Sequence, residues 1–264
     1  MGELKKRIIT GLFLAPVIAF LFYILPPVWF MLFLAAVGSA AVIEAASLAR
    51  LPMRYLIAAL AVAGFAPLYF RFFQVYMFWV LACVSILIVI AVLGRSDSVE
   101  EANRKLVGNV SAMLFVNFFI VLPFFYIYAL KELDRIFPLI LLFAIWASDT
   151  GAFIVGKKLG RHPLAPRISP KKTVEGLFGA VIGSMAVIAA SHQLLGLTLA
   201  KALVAGAATG ALGQAGDLLE SSCKRVFDTK DSSSLIPGHG GILDRTDSFL
   251  FTAPFLYIFL VWIA

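Results

Sequence analysis

Apolar runs of about 20 residues recur along the chain, the length an α-helix needs to cross ~30 Å of hydrocarbon. Nine are predicted, at 8–25, 28–48, 55–72, 74–94, 107–130, 137–156, 173–195, 198–217 and 246–264. Backbone groups in lipid must bond within the protein, so a spanning chain is either helical or a closed barrel. The period-2 alternation of barrel strands is absent, which leaves an all-α integral membrane protein of about nine transmembrane helices. Composition agrees: 61% of the 264 residues are hydrophobic and 14% charged, against about a quarter charged in soluble domains. Lys5, Lys6 and Arg7 before the first run imitate a signal peptide. Pro26 and Pro27 lead straight into a second long run, however, and that fits a retained hairpin.

Charge sets the expected orientation. With a cytoplasmic N-terminus, segments 1–7, 49–54, 95–106, 157–172 and 218–245 lie inside and hold 18 of the 22 Lys and Arg residues. That is the positive-inside bias. The net charge of +7 therefore reflects topology and is no sign of a nucleic-acid partner. Cys83 and Cys223 form neither a disulfide framework nor a zinc pattern. We read one polytopic domain over 1–264, with 1–130 mainly scaffold and 131–264 carrying the catalytic spans and loops.

Polarity concentrates in three clusters of the C-terminal half. The first is WASDTGAFIVGKKLGRHPLAPRISPKKTVEG, residues 146–176. Asp149 falls inside an apolar run, where a carboxylate costs about 2.5–3.5 kcal/mol at a helix centre, so it should face protein, water or a cation. The loop after it holds six cations and no anion before Glu175. Ser169 is expected to cap the next helix with Pro170 at its first position. Lys171 and Lys172 beside free N–H groups then make a phosphate seat. The plainer alternative is a basic loop that only obeys topology or touches anionic headgroups.

The second cluster is GQAGDLLESSCKR, residues 213–225. On a continuing helix Gln214, Asp217, Ser221 and Lys224 form one polar stripe. Asp217 lies deeper than Glu220 and is the better ligand candidate; Glu220 is expected to emerge into water. The third cluster is KDSSSLIPGHGGILDRTDS, residues 230–248. Gly238, Gly240 and Gly241 bracket His239 and allow backbone N–H groups close to an anion, although a reverse turn is the commoner outcome of such a sequence. Asp244 and Asp247, three apart, share a helix face. With Asp217 they offer hard oxygen ligands of the kind Mg²⁺ takes alongside substrate phosphates. Arg245 offers a guanidinium fork for phosphate oxygens, and an interfacial ion pair with Asp244 is its bland alternative. All three clusters fall on the same predicted side of the membrane. There is no P-loop, metalloprotease motif or serine nucleophile elbow. The residues alone reach a metal-assisted phosphoryl-type enzyme acting on a lipid.

The run SSCKRVFDTKDSSSLIPGHGGILDRTDS resembles the signature of the phosphatidate cytidylyltransferases, or CDP-diacylglycerol synthases. SDTGAF (148–153), SPKKTVEG (169–176) and GDLLES (216–221) agree as well. The likeness spans at least the C-terminal ~120 residues, and nine spans with the N-terminus inside also looks like the bacterial family. Cys223 and Ser233 depart from it, the first from a larger apolar residue and the second from a small one. The resemblance implies a multi-pass enzyme of the cell inner membrane whose site faces the cytoplasm. Its reaction would turn CTP and phosphatidic acid into CDP-diacylglycerol and pyrophosphate, a step of phospholipid biosynthesis. It further implies a carboxylate-held Mg²⁺ at Asp217, Asp244 and Asp247 with Asp149 nearby, a K⁺ beside it, and allows a homodimer. On that reading Lys171, Lys172, Lys224, Arg225 and Arg245 hold phosphates. Ser221, Lys230 and the glycine turn help bind substrate, and His239 is a positioning donor. Two alternatives stay open: a CTP-dependent lipid kinase of the polyprenol type, and a cation-coupled transporter suggested by Asp149 and by Glu44. Glu44 lies near the inner end of its run and is expected to snorkel.

Overall fold

The computed structural model describes residues 3–48, 51, 53–94, 98–229, 231–233, 235 and 240–263, with side chains from Phe13 onward. It is 80% helical. The helices are α1 (Glu3–Ile24), α2 (Pro27–Leu48), α3 (Arg54–Ala63), α4 (Phe65–Tyr69), α5 (Phe73–Leu93) and α6 (Val99–Val116). After a π-helical turn at Asn117–Val121 come α7 (Leu122–Leu133), α8 (Phe137–Leu159), α9 (Val174–Ala190), α10 (Leu199–Val226), α11 (Leu243–Thr246) and α12 (Phe249–Trp262). Between α8 and α9, β1 (Pro163–Ala165) and β2 (Ser169–Thr173) form an antiparallel ribbon.

Helix overlies each predicted apolar run. Among the described residues, the stretches Pro27–Leu48, Phe73–Leu93, Val99–Leu133 and Phe137–Leu159 are long and apolar enough to cross a membrane. Phe13–Ile24, Arg54–Tyr69 and Val174–Ala190 are shorter apolar helices. Phe13, Phe78, Val92 and Ile182 lie exposed on the outside, an arrangement that lipid tolerates and water does not. The chain is a helical membrane protein.

Two interruptions have local causes. The predicted run at 55–72 divides into α3 and α4 at Gly64, where a Cβ would stand 3.2 Å from the Tyr76 ring. The long helix Val99–Leu133 carries its π turn just before Pro123. Proline lacks an N–H and crowds the carbonyl four residues back, and the widened turn relieves both problems. The fully buried Asn117 sits in that turn; its amide donates to Met113 O at 2.9 Å, and Tyr76 donates its hydroxyl to Asn117 O at 3.0 Å.

Away from the polar clusters, the buried Lys131 at the end of α7 donates to the carbonyls of Phe22 and Tyr23 in the last turn of α1. Its ammonium also lies 5.0 Å from the centre of the Phe30 ring. Lys131→Ala strands two helix-end carbonyls. A loss of about 1–3 kcal/mol is expected, read as a lower thermal midpoint in detergent; an unchanged midpoint would mean that those carbonyls find other donors.

The C-terminal half packs on small residues. A Cβ on Gly151 of α8 would lie 2.2 Å from Gly179 O of α9, and one on Gly210 of α10 would lie 2.7 Å from Val181 Cα. Backbones this close form a stiff three-helix unit, because attraction between membrane helices comes from such packing and not from burial out of water. That unit supplies most of the walls of the site.

Candidate active site

The C-terminal half of α8, the start of α9, the C-terminal half of α10 and the segment around α11 meet at one end of the bundle. They enclose a cavity of about 570 Å³. α8 contributes Asp149, Phe153 and Lys157, which recur every four residues on one helix face. Only Asp149 stood out in the sequence, although the same spacing marks the other two.

The ribbon between α8 and α9 corrects the expected helix start. Ser169 and Pro170 belong to β2, with Pro163 opposite Thr173 and Ala165 opposite Ser169. The cap is Thr173, in extended conformation, whose hydroxyl accepts from Gly176 N at 3.1 Å. Ribbon pairing takes the backbone that Ser169 would have capped, so α9 starts four residues later. Arg225 Nε donates to Ile168 O at 3.2 Å and pins the ribbon to α10. Lys171 and Lys172 reach the cavity from this ribbon.

α10 runs nine residues past the predicted edge at 217, to Val226. The polar stripe therefore sits on helix, as the spacing predicts. Gln214 and Asp217 line the cavity. Gln214 Nε2 approaches Asp149 Oδ1 at 3.5 Å, Ser221 Oγ donates to Asp217 Oδ1 at 3.2 Å, and Lys172 Nζ pairs with Asp217 Oδ2 at 2.7 Å. Asp228, at φ 52°, ends the helix: Thr229 N bonds Lys224 O at 3.0 Å and Asp228 N bonds Arg225 O at 3.2 Å. This Schellman closure turns the chain back over the site.

Glu220 does not emerge into water. It is 1% exposed, and its Oε2 lies 2.5 Å from Lys224 Nζ, which also reaches Asp244 Oδ1 at 2.6 Å. The helix continues beneath the polar segment, so a residue expected at the surface is covered by it. Asp244 Oδ2 accepts from Ser232 N (3.0 Å), Ser232 Oγ (3.0 Å) and Gly241 N (2.7 Å). Burial alone would raise the Asp244 carboxyl, but the Lys224 ammonium and the backbone N–H donors outweigh it and hold it at about 2.

Gly240, at φ +81°, and Gly241 let the backbone wrap this carboxylate. A Cβ on Gly240 would stand 2.6 Å from Asp244 Oδ2. The N–H of Gly241 is thus spent on Asp244. Arg245, Asp247 and Ser248 complete the cavity wall, with Asp247 Oδ1 accepting from Ser248 N at 2.7 Å. A Cβ on Gly216 would lie 2.3 Å from Asp247 O, so glycine there lets α10 touch this segment and sets Asp217 near Asp247.

The structure thus brings Asp149, Lys171, Lys172, Asp217, Asp244, Arg245 and Asp247 to one cavity. Ser221, Lys224 and Arg225 stand behind it, bonded to Asp217, to Asp244 and to the ribbon respectively. Lys230, Gly238 and His239 lie outside the described residues. Sequence reasoning passed over Phe153 and singled out Lys157 for nothing beyond the basic loop; it misplaced Glu220 and, from the scaffold half, Glu44. Glu44 does not snorkel: it is buried and accepts four hydrogen bonds from the segment that leads into Asp244.

A model of the cytidylyltransferase family matches residues 5–263 of the chain. The chain belongs to that family. Among its relatives, the phosphatidate cytidylyltransferase of Bacillus subtilis (strain 168) is 36% identical over 270 residues, covering 98% of both chains. That of Staphylococcus aureus (strain COL) is 37% identical over 185 residues, covering 66% of this chain and 68% of its own. That of Staphylococcus epidermidis (strain RP62A) is 37% identical over 177 residues, with the same coverage. As a cytidylyltransferase the chain needs room for a triphosphate and for an acceptor. The cavity offers four cations, Lys157, Lys171, Lys172 and Arg245, next to the exposed apolar side of Phe153.

Proposed function

We propose that this chain transfers the cytidylyl group of CTP to phosphatidic acid, giving CDP-diacylglycerol and pyrophosphate. The cavity carries the reading: cations face carboxylates at a helix-bundle end, beside an apolar wall suited to a glycerolipid. A phosphate oxygen of the lipid forms a bond to the α-phosphorus of CTP. The bond from that phosphorus to the bridging oxygen breaks, and the electron pair leaves on pyrophosphate. The attacking phosphate is already ionised near neutral pH, so the step asks little of a general base. Lys171, Lys172 and Arg245 neutralise the phosphates and hold donor and acceptor in line, which is where most of the rate in such transfers comes from.

A divalent metal fits the donors. Among the described residues no three carboxylate, histidine or cysteine side chains close into a cage, and Mg²⁺ commonly uses one or two carboxylates plus substrate phosphates. The charges of Asp217 and Asp149 both bear on Asp247, a repulsion that a cation relieves. Asp217 and Asp247 would hold Mg²⁺ with Asp149 nearby, whereas Asp244 already accepts from Lys224 Nζ and from the amides of Ser232 and Gly241. When bound, the ion supplies charge neutralisation between the two anionic substrates. K⁺ as its companion rests on the sequence resemblance. We also propose nine spans in the inner membrane with the cavity facing the cytoplasm, because Lys157, Lys171, Lys172 and Arg245 line the cavity and cation-rich loops favour the inside.

The test is an assay of detergent-solubilised protein with labelled CTP and phosphatidic acid. CDP-diacylglycerol and pyrophosphate are expected in equal amounts, abolished by a chelator and restored by Mg²⁺. A phosphorylated alcohol made from CTP would indicate a lipid kinase, and cation flux without nucleotide a transporter. Absence of CDP-lipid from folded protein overturns the reading.

A further inference from the structure

Glu44 lies near the C-terminal end of α2, a helix that contributes nothing to the cavity wall. It is 7% exposed. A carboxylate buried in an apolar helix requires donors, and among the described residues the four within reach all come from one segment about 190 residues away in sequence. Oε1 accepts from Ser233 Oγ at 2.6 Å and Ile242 N at 3.0 Å; Oε2 accepts from Ser232 Oγ at 3.1 Å and Leu243 N at 2.9 Å. Each oxygen thus takes one hydroxyl from the start of the segment and one amide from its end. Among the described residues it forms no salt bridge.

The geometry fixes both ends of the segment at once. Ile242 and Leu243 immediately precede Asp244 and Arg245, and Ser232 is shared: its amide donates to Asp244, and its single hydroxyl proton is within reach of both Glu44 Oε2 and Asp244 Oδ2. The backbone of Gly241 is pressed between them: a Cβ there would lie 1.9 Å from Ser232 Oγ and 2.5 Å from Glu44 Oε2. Glu44 and Asp244 thus grip one short piece of chain from two sides, one from the N-terminal helices and one from within the segment.

We infer that Glu44 is a positioning residue for cytidylyl transfer. By holding the two ends of the 231–243 segment against α2, it sets Arg245 and Asp247 into the cavity wall. It acts through that segment and touches neither cavity nor substrate. The inference rests on the function proposed above.

Glu44→Gln tests it with almost no change in volume. One acceptor oxygen becomes an NH₂ donor, which then faces the N–H of either Ile242 or Leu243. Turnover at saturating CTP is expected to fall roughly tenfold, with the KM for CTP moving less than about threefold. Amide hydrogen exchange should rise in 240–246 and stay at parental levels in α8 and α9. Glu44→Asp keeps both acceptors and should recover part of the turnover. Ser233→Ala removes a single donor from outside α2; it should show the same selective exchange with a loss of about threefold, and it serves if the Glu44 variants fail to fold. Parental turnover in Glu44→Gln, or in Ser233→Ala where that variant stands in, overturns the inference. So does a uniform rise of exchange through all helices, which would mark Glu44 as a stability residue only. If the parent makes no CDP-lipid the positioning role falls with the function, while exchange at 240–246 still reads whether Glu44 holds the segment.

Discussion

Asp217→Asn is expected to lower turnover at least about a hundredfold while the thermal midpoint in detergent falls by only a few degrees. The substitution keeps the shape and leaves one oxygen for the Ser221 hydroxyl, which donates to Asp217 Oδ1 at 3.2 Å. What disappears is the charge opposite Lys172, a pair in which the two side chains are 18% and 31% exposed. Asp217 is partly exposed but the Lys172 ammonium is buried. The stability cost therefore exceeds the roughly 0–1 kcal/mol of an exposed pair yet stays below that of a fully buried one. A loss of turnover of about a hundredfold in protein that remains folded is then chemical. Two effects then combine. Lys172 is no longer held at its place on the cavity wall, and a proposed metal ligand becomes neutral. The second effect has its own signature: the Mg²⁺ concentration giving half-maximal rate should rise, which simple loss of Lys172 placement would not produce. Initial rates with labelled CTP across a Mg²⁺ series measure both. Near-parental turnover would remove Asp217 from the reacting phosphates.

The contrast between what the sequence disclosed and what it hid follows from the range of the interactions. Apolar runs of spanning length and the i, i+3, i+4 spacing of Gln214, Asp217, Ser221 and Lys224 are local signals, and the helices beneath both are as expected. The convergence of Asp149, Asp217, Arg245 and Asp247 on one cavity was legible too, since alternating spans return polar ends to one side. The misplaced helix cap at Ser169 shows where local rules fail. Serine followed by proline is a good helix start in isolation, but pairing with Pro163–Ala165 wins the same backbone groups for a ribbon. Glu220 and Glu44 show the other limit. Whether a carboxylate at a helix end meets water or donors depends on a segment that folds back from elsewhere. For Glu44 the partner amides are about 200 residues distant in sequence, beyond any periodicity.

Glu44 also alters how the N-terminal half is to be viewed. Its helices look like scaffold by composition, and none of them lines the cavity, yet one carboxylate of α2 carries four bonds into the segment that does. Scaffold and site are joined there by hydrogen bonds to a charged acceptor, each individually worth more than a neutral one.

Asp244→Asn should separate two roles that the sequence could not, because it is expected to lose both turnover and stability. Asp244 and Lys224 have side chains 7% and 12% exposed, so this pair is largely out of water. Oδ2 accepts from two backbone amides and a hydroxyl, and Oδ1 faces an ammonium. Asparagine offers one oxygen and one NH₂, and either orientation sets a donor against a donor. Breaking a buried pair by removing one partner costs about 3–5 kcal/mol; Lys224 keeps Glu220 as a partner, which places the expected loss near the lower end. Turnover should fall at least about a hundredfold, because Arg245 and Asp247 follow directly in the chain. A fall in thermal midpoint of several degrees, with raised amide exchange at 231–233 and 240–246, would identify Asp244 as the anchor of the segment. Full loss of turnover at a parental midpoint would instead place its carboxylate with the metal ligands, beside Asp217 and Asp247. The two outcomes differ because an anchor is needed in the resting protein, whereas a ligand is needed only when the phosphates and the ion arrive.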